Sequence, residues 1–239
     1  MNGVIDWGWI QANLTMIAQL TGEHVALAIL PVIAAVVISI PVGCLVFRTG
    51  RFANVVLVLL GVVYAIPSLA LFVLMPAILN RKIWDPVNIV VALTAYSVVL
   101  LVRSVVEGLR SVPATVNSVA TGVGFSGAGR LFRVELPLAM PAFFAGLRLV
   151  IVSNIVLVSV GALIGIGALG ELFTSGLRTG LVTPVIVGLV LSVLLALIFD
   201  GLILLIRRGA LPWTRGRRPA SSGAICSTRP IGPQPTTAC

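Results

Sequence analysis

Long apolar runs, broken at intervals by Arg, Gly and Pro, dominate this chain. A helix rises about 1.5 Å per residue, so roughly 20 apolar residues cross a hydrocarbon core of about 30 Å. Five stretches reach that length: Val25 to Phe47, Asn54 to Leu79, Val87 to Val106, Ala142 to Gly165 and Thr183 to Ile206. The runs are continuous and lack the polar alternation of a barrel strand, which predicts an all-α integral membrane protein with about five transmembrane helices. Residues 25–206 thus form a transmembrane domain. Residues 1–24 hold Trp7 and Trp9 but no basic residue. They lack the positive start of a secretory signal and are expected to lie along the membrane interface, where Trp rings settle. Residues 207–239 are basic and rich in Pro and Ser, which predicts a disordered tail.

Composition agrees with a lipid environment: 59% of the 239 residues are hydrophobic and 10% are charged. The 16 basic and 7 acidic residues give a net charge of +9. In a soluble protein that excess suggests nucleic acid; here the basic residues mark sidedness instead. Twelve Arg fall in the connections after the first, third and fifth runs, against three basic residues in the alternate ones. Cytoplasmic loops carry the positive excess, so the amino terminus is expected outside and the carboxyl terminus in the cytoplasm. Arg103, Arg148 and Asp200 lie within six residues of the inner ends of the predicted runs, where long side chains snorkel. Asp200 is expected to pair with Arg207 or Arg208.

Several chemistries fall away. Lys82 is the single Lys and is preceded by no Gly-rich loop, so the chain has no phosphate-binding loop for ATP. His24, Cys44, Cys226 and Cys239 are too scattered for a clustered metal site. No G-x-S-x-G nucleophile motif is present, and no catalytic residue is assigned. Gly165-x-Gly167-x-x-Gly170 spells a dinucleotide fingerprint but ends a membrane run with no strand before it. The segment from Gly165 to Gly180 is read as re-entrant or membrane-surface. Against a stand-alone channel or secondary transporter, the predicted runs hold no central carboxylate or Arg to couple protons or ions, and no inverted repeat is evident.

Two places carry polar or patterned residues of interest. Tyr64, Pro67 and Ser68 sit where a proline should kink the second run, and Ser153 and Asn154 lie within the fourth. Either set lines a translocation path or makes hydrogen bonds between helices. The connection from 103 to 141 is the longest. Val112, Val116, Val119 and Val123 recur there at helical spacing, Gly122, Gly124, Gly127 and Gly129 interrupt, and Leu131, Phe132 and Val134 start a second apolar cluster that stops at Leu136-Pro137. This helix, glycine turn and short helix lies against the protein's own spans or docks into a groove on a soluble partner.

Gly124, then nine residues, then Val134-Glu135-Leu136-Pro137 resembles the E-A-A-x-x-x-G-x9-I-x-L-P signature of permease subunits of binding-protein-dependent ABC transporters. Ser118-Val119-Ala120 stands at the E-A-A positions, so the family's Glu is Ser here. The stretch from Arg133 to Pro141, together with Ala65 to Ala70 and Gly165 to Gly170, is similar to the osmoprotectant permeases that import glycine betaine, carnitine or choline. Methionine-type importers have similar short permeases. The resemblance implies a multi-pass protein of the inner or plasma membrane, paired with a second permease subunit of the same or a related kind. It implies cytoplasmic ATPase subunits, which bind and hydrolyse ATP with Mg, and an external substrate-binding protein. It also implies that this chain itself binds no cofactor, is not an enzyme, and meets lipid but no nucleic acid. Ser118, Ala120, Gly124, Phe125, Leu136 and Pro137 are then the residues coupled to the ATPase.

Overall fold

The computed structural model describes residues 5–213, and all regular structure among them is helical. The expected tail lies outside the described residues beyond Trp213. Asp6 caps the first short helix, α1 (Trp7–Ala12), by accepting a hydrogen bond from the Trp9 amide at 3.1 Å. After Asn13 the chain enters α2 (Leu14–Arg48), 35 residues long. The first spanning helix therefore begins well ahead of Val25, and among the described residues only those before Asn13 form a separate segment. Ile17, Leu20 and His24 continue its buried stripe, while Gln19 and Glu23 pair with each other on the exposed side. Their polarity hides the stripe from a simple hydropathy reading.

The second run is not one straight span. It forms α3 (Ala53–Tyr64) and α4 (Ser68–Leu79), bent by 90°. Pro67 is extended (ψ 131°) and cannot donate to the helix behind it. Each limb of 12 residues is about 18 Å long, too short to cross alone. Asp85 caps α5 (Pro86–Arg110) through the Val87 amide at 3.0 Å. The Arg81 guanidinium, 2.8 Å from Asp85, and that amide hold its carboxyl below the usual carboxylate range.

α5 is the most enclosed helix and lies between α2 and α8 (Leu136–Gly161). Close approach is built in. A Cβ on Gly43 would stand 2.6 Å from Val105, and one on Gly108 would stand 2.8 Å from the Ala139 carbonyl. Because α5 runs to Arg110, Arg103 and Arg110 belong to this helix and not to the connection after it.

That connection holds α6 (Ala114–Gly122) and α7 (Gly127–Arg130). A π-helical turn over Leu131–Glu135 then joins α7 to α8 without a break. The second apolar cluster does not stop at Leu136-Pro137 as the Pro suggests. Pro137 lies in the first turn of α8, and the wider π turn before it absorbs the hydrogen bond its ring nitrogen cannot make. After a single 3-10 turn, Gly165 and Ala168 adopt positive φ, and α9 (Gly170–Thr179) packs under α10 (Val182–Ala210). Arg207 and Arg208 are thus the last turn of α10, not part of a tail. Among the described residues four helices are long and apolar enough to cross a membrane, or five spans if the bent pair counts as one.

Asp200 pairs with neither Arg207 nor Arg208. Arg148 Nε and Nη2 hold its two carboxylate oxygens at 2.6 and 2.7 Å. Because α8 starts at Leu136, Arg148 lies near the helix middle, beyond easy reach of the interface, and a facing carboxylate replaces snorkelling.

Candidate functional site

The α6–α7 elbow is built from short-range signals. Pro113 precedes α6 and fixes an extended entry (φ −60°, ψ 140°). At the far end the Phe125 amide donates to the Ala120 carbonyl at 3.1 Å and the Gly124 amide to Thr121 at 3.0 Å. This crossed pair of bonds is a Schellman turn, which needs a left-handed residue at Gly124; its φ is +94°. Ser126 Oγ then accepts from the Gly129 amide at 3.2 Å and starts α7.

Arg130 closes the elbow. Its Nη1 donates to Thr121 Oγ1 at 2.9 Å on α6, and its Nε donates to Glu135 Oε1 at 2.8 Å at the base of α8. Glu135 is only 3% exposed, so the carboxylate in the Val-Glu-Leu-Pro string is an internal brace. Arg130, Thr121 and Glu135 are not visible as a unit in the sequence. Their spacings of nine and five residues have meaning only once the chain has turned at Gly124.

The outer side of the elbow is apolar. Val119 and Val123 are 66% and 74% exposed, so the valine stripe turns outward at its end. With Thr115, Val116, Phe125 and Val134 they border an open groove of about 380 Å³ floored by Ala120, which is 7% exposed. Ser118 and Gly124 are exposed beside it, and Ser118 Oγ donates to the Ala114 carbonyl at 3.1 Å. Leu136 and Pro137 are half-buried, beyond Val134, and do not border the groove.

The two sets of span residues are placed differently. Tyr64 and Pro67 are exposed and Ser68 is half-buried at the α3–α4 bend. Tyr64 meets Tyr96 edge-on, with ring centroids 5.6 Å apart, and the Tyr96 hydroxyl donates to the Ile66 carbonyl. An apolar recess bordered by Pro67, Leu69, Val73 and Leu74 opens beside the bend. Ser153 is half-buried, whereas Asn154 is 1% exposed inside the protomer. Asn154 Nδ2 donates to Ser97 Oγ at 3.1 Å and to the Ala28 carbonyl at 3.4 Å. His24 is fully buried and does not lie at the mouth of a span as its position before Val25 suggests; its Nε2 donates to the Ile155 carbonyl at 3.1 Å. His24 and Asn154 therefore cross-brace α2 and α8, with Ser97 bringing in α5.

Known proteins are similar to this chain in sequence and in fold. The chain is 35% identical to the osmoprotectant import permease protein OsmW of Salmonella typhimurium, over 69% of this chain and 78% of that protein. It is 28% identical to the glycine betaine/carnitine/choline transport system permease protein OpuCB of Bacillus subtilis, over 71% and 77%. The fold is similar to a chain of the MetNI methionine ABC transporter in an inward-facing conformation, with a TM-score of 0.72, 20% identity and coverage of 84% of this chain and 97% of that one. At that identity the likeness concerns the fold alone. Residues 35–211 match the model of the binding-protein-dependent transport system inner membrane component, and the chain belongs to that family of multi-pass permeases.

Proposed function

We propose that this chain is the permease subunit of an ATP-driven importer of osmoprotectants such as glycine betaine, carnitine or choline. The observation that carries the substrate class is the 35% identity to an osmoprotectant import permease across most of both chains. The chain supplies a membrane path and binds no nucleotide. Partner ATPase subunits bind and hydrolyse ATP with Mg in the cytoplasm, an external binding protein delivers the solute, and a second permease subunit completes the pore.

The elbow supports a docking role. Val119, Val123 and Phe125 border a groove that the other described residues leave open, and burying each such side chain contributes about 1.5 to 3 kcal/mol. Ser118 and Gly124 stand on the same exposed surface, while Ala120, Leu136 and Pro137 hold it in shape. Arg130 and Glu135 tie α6 to α8, so a displacement of the docked elbow moves α8. Tyr64, Pro67 and Ser68, at the broken span, are the path residues best placed to meet a solute. Ser153 and Asn154 stand deeper, and Asn154 acts through the polar brace between α2, α5 and α8. The positive connections support a cytoplasmic elbow and an outer α1.

The test is uptake of labelled glycine betaine by proteoliposomes holding the chain with its cognate ATPase and binding protein. Accumulation that requires ATP and all three components is expected. Uptake by the chain alone, or an assembled complex that moves no quaternary amine, overturns the reading.

A further inference from the structure

We infer that Arg148 and Asp200 are positioning residues that carry motion of the elbow from α8 into α10. This rests on the permease reading, because it assumes an ATPase that moves the elbow. Residues from Gly127 to Ile164 form one unbroken apolar rod, and Arg130 fastens its base to Thr121 of α6. A push on the elbow therefore shifts α8 along with it. Arg148 lies about 18 Å along the rod from Leu136, which brings the motion to the middle of the span.

α10 is the helix that has to follow. Its buried residues are Thr183, Pro184 and Gly188 near its start and Ile203 near its end. At the start α9 holds it, since a Cβ on Gly188 would stand 3.1 Å from Leu172. Between Gly188 and Ile203 its polar attachment to α8 is the fork of Arg148 on Asp200. Two parallel bonds of 2.6 and 2.7 Å fix orientation as well as distance, which an apolar contact between helices does not. In hydrocarbon neither charge tolerates separation from the other, so the two helices move as a pair at this level. The side chains are 37% and 24% exposed, so the fork fills no core void and its packing alone does not account for it.

The test uses the full complex of permease, ATPase and binding protein in proteoliposomes, reading solute moved per ATP hydrolysed. The variants are Arg148→Gln, Asp200→Asn and the exchanged pair Arg148→Asp with Asp200→Arg. Each single variant is expected to assemble and hydrolyse ATP but to move roughly tenfold less solute per ATP, and the exchanged pair to recover to within about threefold. Wild-type ratios in the single variants, or an exchanged pair no better than they are, overturn the relay. Single variants that fail to assemble with the ATPase also overturn it, since the pair then serves folding alone. A wild-type complex that moves no solute defeats the permease reading instead, and it is seen before any variant is made.

Discussion

Gly124 concentrates the demands on the elbow into one residue. Its φ of +94° costs an L-residue about 1 kcal/mol or more, yet a Cβ there would meet nothing within 4 Å. Strain without a clash leaves the fold intact and changes what a partner would touch. Gly124→Asp is therefore expected to reach the membrane at near-normal level while losing ATPase co-purification and uptake. Gly124→Ala, which adds strain without charge, should lose only part of either. Co-purification and uptake retained in Gly124→Asp would remove the docking role. Asn154 shows the opposite economy. Buried and bonded to Ser97 and Ala28, it has its donors committed to holding three helices at one level.

Among the elements, the apolar runs disclosed α5 and α10 nearly to their ends because each holds one unbroken apolar run over most of its length. The start of α2 stayed hidden because Gln19, Glu23 and His24 lower the local hydropathy, although the first two pair on the exposed side and His24 finds the Ile155 carbonyl. Pro137 misled in the other direction: a proline in a first turn ends nothing. The Gly124 turn was legible, since its signal is local. The Arg130 brace was not, because its partners are brought together only by that turn. Pro67 announced a kink, and in the 90° bend the Tyr96 hydroxyl takes up the Ile66 carbonyl. Spin labels at Val55 and Ile78 test this. From helix rise, the bent pair separates them by about 24 Å and a straight helix by about 35 Å. Pro67→Ala with Tyr96→Phe should move the distribution toward the longer distance; no change would place the cause of the bend elsewhere.

At the scale of the molecule, that bend decides how many times the chain crosses the membrane. If α3 and α4 only dip in and return, there are four crossings and both ends of the described chain share one side. The packing points to five. Ile40, Cys44, Leu45 and Arg48, toward the end of α2, border a groove with Leu131 and Phe132 of the π turn, so the end of α2 and the elbow lie at the same end of the molecule. α5 descends to that end, and the bent pair must therefore carry the chain to the other one. Leu211, just beyond α10, joins the same cluster as Leu109 and Leu131, whereas Asp6 donates its amide to Thr183 at the opposite end of α10. Arg48, Arg110, Arg130, Arg133 and Arg207 then all collect at one end, the arrangement that positive-inside sorting assigns to the cytoplasm. Single cysteines introduced at Trp7, Val123 and Gly209, with Cys44 changed to Ala and Cys226 and Cys239 to Ser, make this measurable. A membrane-impermeant thiol reagent on intact spheroplasts should label the first position at once and the other two only after permeabilisation. Labelling of Val123 from outside would reverse the sidedness, and labelling of Trp7 and Gly209 from the same side would make the bent pair a re-entrant loop.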